Sequence, residues 1–277
     1  MSLAQGSCTS LPRAFARRAL LGAALALSAC QPRTVGDEVA QSAPVSPCQP
    51  VLFEDSALTH CIADPARHAI RTALADREGA PYRSLAAYAQ SRPSTAPPVA
   101  FAMNGGMYEA GGQPVGYYVE QGERLQRLNR AQGPGNFHLL PNGVFFGDER
   151  GGWHVLAADA FARDVASRPA FGTQSGPMLV VDGELHPSLD PDGASRKIRN
   201  AVGVDRQGRA HFVISEAPLS FGKLARYYRD VLKTPNALFL DGSVSQLWDP
   251  AHGLIDGGAP LGPLIVVEVA QNAPAQP

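Results

Sequence analysis

The stretch that decides the fold is NALFLDGSVSQLW, residues 236–248, where an apolar strand ends abruptly in an acid. Strand-like residues lead to Asp241, and Gly242 and two serines, Ser243 and Ser245, follow it. An Asp-Gly pair at a strand end is typical of a turn, because glycine adopts positive φ and aspartate bonds its own backbone. The alternative is that the carboxylate faces a ligand, and other parts of the chain must decide between the two.

Short β-branched or aromatic runs bounded by Gly, Pro, Asn or Asp recur along the chain and predict strands. The predicted strands are 51–53, 58–63, 99–103, 115–120, 142–146, 153–157, 177–181, 200–204, 210–215, 236–240 and 264–269. Helices are predicted over 83–91, 158–167 and 221–232. Because strands outnumber helices and do not alternate with them, we expect an α+β fold, a single domain with a mixed, strand-rich twisted sheet and a few flanking helices.

The N-terminal residues are typical of an export signal. Arg17 and Arg18 precede a short Leu/Ala run that ends in LSAC, residues 27–30, which is similar to a bacterial lipobox. The paired arginines fit the twin-arginine route, with the general secretory route as the alternative. We predict a lipoprotein signal peptide over 1–29 and lipidation of Cys30, against the alternative of a plain signal with a chance cysteine. The protein is then expected in a bacterial periplasm, lipid-anchored to a membrane, the outer one in preference.

Composition suggests the organisation of the remaining chain. Residues 30–47 are poor in large apolar groups and predict a flexible tether, and residues 271–277 predict a similar tail. The domain is expected to span 48–270. Within it, Cys48 and Cys61 predict a disulfide, since two cysteines flanking a short segment in an oxidising compartment favour a bridge over a metal pair.

Charge and histidine spacing exclude some classes of function. The formal net charge is −1, with acids and bases mixed along the chain, so nothing predicts a nucleic-acid partner. The seven histidines show no metal-binding spacing, so we expect no metal or other cofactor, with assistance by a divalent ion left open.

Four strand ends combine polar side chains with small residues. Such junctions let a ligand approach the backbone, and four of them favour one convergent pocket over four unrelated turns. The residues concerned are Asn104, Gly105 and Gly106, then Gln174 and Ser175, then Arg199 and Asn200, and finally Asp241, Gly242, Ser243 and Ser245.

Six motifs in order carry a family resemblance. They are NGGMY, PVGYYVE, GNFHLLPNGVFF, TQSGPMLVVDGEL, RNAVGVD and NALFLDGSVSQLW. Together they resemble the phosphodiester glycosidase family, the relatives of the lysosomal uncovering enzyme, and particularly its YigE-like bacterial branch. The resemblance covers about residues 50–270 and implies hydrolysis of a sugar linked through its anomeric carbon to a phosphodiester, in this case a sugar phosphate or glycan of the cell envelope.

The residues fit this chemistry. Glycosidic cleavage passes through an oxocarbenium-like transition state, which a carboxylate stabilises, and Asp241 is the first candidate. Arg199 suits the departing phosphate, and Glu216 is a candidate second carboxylate, with a solvated loop acid as its alternative.

The remaining junction residues are expected to bind substrate. Asn104 and Gln174 would bond sugar hydroxyls, the Gly105 and Gly106 amides would hold phosphate oxygens, and Ser243 and Ser245 would line the same wall. The alternative function is a non-catalytic module that binds sugar phosphates or polysaccharide in the same pocket.

Overall fold

Strands dominate the computed structural model, which describes residues 45–148 and 152–271. In chain order they are β1 Cys48–Phe53, β2 Ser56–Ala63, β3 His68–Ala73, β4 Val99–Asn104, β5 Tyr118–Glu120, β6 Glu123–Gln126, β7 Gly143–Gly147, β8 Trp153–Ala157, β9 Phe171–Ser175, β10 Met178–Val181, β11 Glu184–Leu185, β12 Asn200–Val204, β13 Ala210–Ser215, β14 Asn236–Asp241, β15 Leu247–Asp249, β16 Leu254–Ile255 and β17 Leu264–Val269. Every strand predicted from the sequence overlaps one of these, which confirms the strand-rich class.

The strands form three sheets. One has seven strands in the order β1-β2-β13-β12-β14-β10-β11, and two have five, in the orders β16-β15-β4-β17-β3 and β6-β5-β9-β7-β8. All strand pairs in the described residues are antiparallel. The prediction of one mixed sheet was therefore wrong in both the number of sheets and the strand direction.

Burial on both faces explains this error. Strands β7, β12 and β13 are buried along their whole length, with apolar clusters on either side. A strand covered on both faces loses the alternation of apolar and polar residues, and a continuous apolar run is also the pattern of a parallel strand. Such a run therefore indicates that the strand is buried, but it does not indicate whether the strand pairs parallel or antiparallel with its neighbours.

Three short α-helices flank the sheets within the described residues, as predicted. They are α1 Leu85–Ser91, α2 Ala158–Asp164 and α3 Phe221–Arg226, and α3 continues as a π-helical turn over Tyr227–Val231. The Ser220 hydroxyl caps α3 by accepting from the Lys223 amide at 3.2 Å, which fixes the start of this helix, and α3 packs against β10 and β11.

A disulfide joins Cys48 and Cys61, which confirms the predicted pair. The two residues are opposite each other in the β1–β2 hairpin at the edge of the seven-stranded sheet. The predicted signal peptide and Cys30 lie outside the described residues, and the predicted domain boundaries stay predictions. Among the helices of the described ranges, none is long and apolar enough to cross a membrane.

Candidate functional site

Asp241 ends β14 in the middle of the seven-stranded sheet. The β12–β14 register pairs Ala201 with Phe239 but Asn200 with Asp241, so a bulge at Leu240 shifts the last pair. A bulge turns the strand end and re-aims the following side chain. The Asp241 backbone N–H donates to Asn200 Oδ1 at 3.0 Å, which holds the residue in place, and Asp241 is only 7% exposed.

The Asp241 carboxylate is bonded by its own turn. Oδ1 accepts from the amides of Gly242 and Ser243, both at 2.6 Å, as the turn interpretation predicts. Oδ2 accepts no bond of this geometry from the described residues. Burial raises the pKa of the Asp241 carboxyl above its usual value, although hydrogen bonds from the amides of Ser243, Gly242 and Val244 oppose the rise. The turn thus holds a desolvated carboxylate whose Oδ2 accepts neither of its two short hydrogen bonds.

Asn104 and Asn200 tie the site strands together across two sheets. Asn200 Nδ2 donates to the Asn104 carbonyl at 3.0 Å and to Asn104 Oδ1 at 3.1 Å. Asn104 Oδ1 also accepts from the Gln246 amide at 2.9 Å, which links β4 to the loop after Asp241. Both asparagines are almost fully buried. Their amides therefore position the Asp241 loop and are largely engaged within the protein.

Arg199 lies beside this loop and is fully buried. Nε donates to the Leu219 carbonyl at 3.0 Å, and Nη2 donates to the carbonyl and hydroxyl of Ser195 at 3.0 and 3.1 Å. The guanidinium carbon lies 3.5 Å from the centroid of the Phe221 ring. Two of its three nitrogens are thus committed, so Arg199 cannot bind a phosphate through two nitrogens at once.

The third nitrogen of Arg199 is the exception. Nη1 is buried with no hydrogen-bond partner among the described residues, and a Cβ added at Gly242 would lie 3.1 Å from it. Burial lowers the pKa of Arg199 to about 10, so the side chain is still charged at neutral pH. An unpaired N–H on a buried cation is costly, and a water or an anion that accepts from it is one physical explanation.

The serines of the predicted site differ in whether their hydroxyl groups are free to contact a ligand. Ser245 Oγ donates to the carbonyls of Ile198 and Asp241, both at 3.1 Å, and Ser175 Oγ donates to the Leu240 carbonyl at 2.7 Å. Ser243 is exposed on the loop, where its amide serves Asp241. Of the three, the Ser243 hydroxyl is the one left open to a ligand.

Gln174 has a role other than the predicted one. Its Oε1 accepts from the amides of Tyr117 and Asn129 at 2.8 and 2.9 Å, and its Nε2 donates to the Asn129 carbonyl and to Asn142 Oδ1. A buried amide with all its groups paired has none left for a sugar hydroxyl. Gln174 therefore holds the loop before β7 against β9, and the assignment as a ligand contact is corrected.

The Gly105-Gly106 turn does not offer free amides to phosphate. The Gly105 N–H donates to the Pro263 carbonyl at 2.7 Å, and the Gly106 N–H donates to Thr173 Oγ1 at 3.1 Å. A Cβ added at Gly106 would overlap the Gln174 carbonyl, so glycine is required there by close packing. The predicted phosphate contact is therefore not supported, because both amides are paired within the protein and the turn packs closely against β9.

Glu216 does not join Asp241 either. It is exposed just past β13, where its amide donates to the Ala57 carbonyl at 3.0 Å and its carboxylate accepts from the Thr59 hydroxyl at 2.5 Å. Both partners lie on the β2 side of β13. The alternative of a solvated loop acid describes Glu216 better than the role of second carboxylate.

Two further residues were not predicted from the sequence: Tyr108, whose pKa the charge of Asp241 affects, and Arg83, which packs against the Tyr108 ring. The Tyr108 hydroxyl donates to the Pro260 carbonyl at 2.6 Å, and the Arg83 guanidinium lies 5.5 Å from the centre of the Tyr108 ring. Burial and then the charge of Asp241 raise the pKa of Tyr108, whereas the charge of Arg83 lowers it. Tyr108 stands in the NGGMY motif, which could have drawn notice, but nothing in the sequence around Arg83 distinguishes it from a surface arginine.

Comparison with known proteins gives the class of this fold and site. A model of the phosphodiester glycosidase family matches residues 98–253, more than half of the chain, and the chain belongs to that family. A segment of 152 residues is 40% identical to the uncharacterized protein YigE of Escherichia coli (strain K12). That match covers 54% of this chain and 58% of YigE, so less than two thirds of the relative's length is spanned.

Solved structures share the fold. The catalytic domain of zebrafish N-acetylglucosamine-1-phosphodiester alpha-N-acetylglucosaminidase, auto-inhibited by its pro-peptide, is similar with a TM-score of 0.55 and 13% identity, over 81% of this chain and 82% of that one. A hypothetical protein from Synechocystis is similar with a TM-score of 0.51 and 15% identity, over 80% of this chain and 61% of that one. At these identities the likeness concerns the fold alone.

Proposed function

We propose that this protein hydrolyses the anomeric C–O bond of a sugar phosphodiester, with Asp241 and Arg199 as the groups that act on the substrate. Family membership supports a hydrolase of this type. The observation that carries the assignment to these residues is that the desolvated carboxylate of Asp241 directly precedes Gly242 in the chain, while the buried, unpartnered Nη1 of Arg199 lies beside the Gly242 backbone. Opposite charges placed in this way match a substrate that develops positive charge at carbon and negative charge at phosphate.

The reaction needs these two charges at different stages. Water attacks the anomeric carbon as the bond to the phosphate oxygen breaks, and the phosphomonoester departs with the bonding electrons. The Asp241 carboxylate, through Oδ2, stabilises the oxocarbenium-like carbon and accepts the proton that water loses, which then passes to the phosphomonoester or to solvent. Because a phosphomonoester has a second pKa of about 6, it needs little protonation, and the N–H and charge of Arg199 Nη1 suffice to hold it.

The direct test is hydrolysis of a synthetic alkyl glycosyl phosphate in water labelled with ¹⁸O. Cleavage of the C–O bond places the label in the released sugar, and mass spectrometry of the two products locates it. Label in the phosphomonoester would mean attack at phosphorus and would overturn the proposal. Asp241→Asn should abolish turnover, and Glu216→Gln, which removes a carboxylate from an exposed position elsewhere, is the matched control.

The alternative function, binding without turnover, makes a different prediction. A sugar 1-phosphate would then raise the melting temperature of the wild type while no product forms from any glycosyl phosphodiester. That outcome would retain the anion site at Arg199 and reject the catalytic role of Asp241.

We further propose that the protein acts in the bacterial envelope, tethered by a lipid on Cys30. The lipobox-like LSAC sequence and the Cys48–Cys61 disulfide support this location, since disulfides persist in oxidising compartments. The partners are then a membrane, through the anchor, and a sugar phosphate or glycan of the cell envelope as the substrate.

A further inference from the structure

A second candidate binding site lies in a cleft that shares no lining residue with the Asp241 site. The cleft has a volume of about 1010 Å³ and lies between the edge strand β3, the β5–β6 hairpin and helix α1. Its size reaches the upper end of the range usual for pockets that hold small ligands. None of the residues that line it belongs to the site predicted from the sequence.

The floor of the cleft is a buried charged triad. Glu268, which is 1% exposed, lies 2.5 Å from Arg71 Nη2 and 2.6 Å from Arg92 Nη1. Arg92 Nη1 also donates to the Tyr88 hydroxyl at 2.8 Å, which fixes that guanidinium. Arg71 is half exposed and lines the cleft, so part of its side chain is accessible to a ligand. The floor is therefore rigid and offers hydrogen-bond donors to a ligand.

The walls add acceptors and an aromatic surface. Glu120 lies on β5, where one carboxylate oxygen accepts from the Tyr118 hydroxyl at 2.8 Å, and Glu123 is exposed on β6. Burial raises the pKa of Glu120. Tyr82 is half buried, with its ring packed edge-on against Tyr88 at 5.1 Å. The cleft thus combines donors, acceptors and an aromatic ring in one continuous surface.

We propose that this cleft binds a neutral oligosaccharide. Sugar hydroxyls donate and accept at once, so they suit a surface where guanidinium and carboxylate groups alternate, and aromatic rings cover the apolar faces of sugars. Five carboxylates and three guanidinium groups line the cleft, which leaves it net negative. A polyanion would be repelled by that charge, and a neutral chain would not.

The cleft binds and does not catalyse. Each oxygen of Glu268 lies within 2.6 Å of a guanidinium nitrogen, so arginines enclose this carboxylate and it has no free position from which to serve as an acid or base. Arg71, Tyr82, Arg92 and Glu268 also lie outside residues 98–253, the part of the chain that matches the family model. The cleft therefore joins residues from inside and outside the matched region, since Glu120 and Glu123 lie within it, and the proposal does not depend on the role of Asp241.

Calorimetric titration of the full chain tests the proposal. The probes are cellohexaose, maltohexaose and chitohexaose as neutral oligosaccharides, with hexagalacturonate as the anionic comparison. We expect saturable binding of at least one neutral probe, weaker binding of hexagalacturonate, and a loss of affinity of about tenfold or more in Glu120→Gln. That variant keeps an oxygen for the Tyr118 hydroxyl, and Glu123→Ala, which alters an exposed side chain, repeats the test where misfolding is not a concern.

Controls separate this site from the proposed catalytic one. Asp241→Asn and Glu216→Gln should bind the neutral probe as the wild type does, since neither residue lines the cleft. Failure of all three neutral probes to bind would overturn the proposal, and so would unchanged affinity in both Glu120→Gln and Glu123→Ala. A preference for hexagalacturonate would overturn the assignment to neutral sugars.

Discussion

Asn200 and Asp241 are directly opposite each other across β12 and β14, and the Asp241 amide donates to Asn200 Oδ1 at 3.0 Å. Asn200 also donates to the carbonyl and side chain of Asn104 on another sheet. One buried amide thus fixes the position of the carboxylate relative to two sheets, and this explains how distant motifs of the chain converge at Asp241.

The first prediction is that Asp241→Asn removes activity while preserving the fold. Asparagine Oδ1 can still accept from the amides of Gly242 and Ser243, so the free energy of unfolding should change by no more than about 1 kcal/mol. Turnover of the glycosyl phosphate should fall about 100-fold or more, because the carboxylate charge and the proton acceptor are lost. Steady-state kinetics and chemical denaturation measure the two effects.

Asp241→Ala separates the two interpretations of the turn. Alanine leaves the Gly242 and Ser243 amides without their acceptor and should cost about 1–2 kcal/mol of stability. If Asp241 were only a turn residue, the asparagine variant would keep full activity, and the alanine variant would lose activity only in proportion to its unfolded fraction.

The wild-type pH profile gives a second prediction about Asp241. Catalysis requires the ionised carboxylate, and burial raises its pKa, so the rate should fall on acidification at a higher pH than for an ordinary aspartate. The measurement is kcat/KM against pH. An acid limb at the usual position of an exposed aspartate would contradict the assignment of Asp241 as the group that titrates.

The third prediction concerns the unpartnered nitrogen of Arg199. Arg199→Lys loses the bonds to Leu219 and Ser195 and the stacking on Phe221, so it should cost about 2 kcal/mol or more in stability. Inorganic phosphate should raise the melting temperature of the wild type and have little effect on this variant. An equal shift in both proteins would place the anion elsewhere, and Arg206→Lys, at an exposed arginine, controls for general charge effects.

Much of the fold was predictable because strands and turns are indicated by residues that are close together in the sequence. The predictions for β12 and β13 and for the start of α2 agree with the structure, whereas β9 was missed because its polar residues Gln174 and Ser175 resemble a loop. Those side chains are buried by contacts with distant segments, which no local pattern reports. The number of sheets depends on such distant contacts as well.

The candidate site was predictable in part for the same reason. A carboxylate at a strand end is visible in the sequence, and Asp241, Asn104 and Asn200 do gather in the structure. Which polar atoms remain free is a matter of tertiary hydrogen bonding. Gln174 was assigned to the ligand from its residue type, and only the four bonds of its amide identify it as part of the scaffold.

The fourth prediction tests that reassignment. Gln174→Ala should lower the free energy of unfolding by about 2–4 kcal/mol, because it leaves buried amides and carbonyls of the 117–142 region unpaired. KM for the glycosyl phosphate should stay near the wild-type value under conditions where the variant is folded. A large rise in KM with little loss of stability would instead restore Gln174 as a ligand contact.

The fifth prediction concerns two buried histidines that are linked by a hydrogen bond. Histidines that the fold keeps neutral make its stability sensitive to acid. His60 Nε2 lies 2.9 Å from His211 Nδ1, and His211 Nε2 lies 3.0 Å from Asp205 Oδ2. Both histidines are about 95% buried, and the Tyr227 ring packs against His60 with centroids 6.1 Å apart. Burial, followed by the charges of His211 and Arg209, lowers the pKa of His60 to about 4. Protonation of His60 is therefore less favourable in the folded protein than in the unfolded chain, where its pKa is 6.5.

The sign of the effect follows from that difference. Since the folded state binds fewer protons, the stabilisation is complete above pH 6.5 and is lost as the pH falls toward 4, by about 3 kcal/mol at most for this group. His60→Gln keeps a donor for His211 but cannot titrate, so its free energy of unfolding should vary less with pH over this interval. Urea denaturation at several pH values measures the slopes, with His154→Gln, at an exposed histidine, as the control. Equal slopes in the wild type and His60→Gln would show that acid destabilisation of this protein has its origin in other groups.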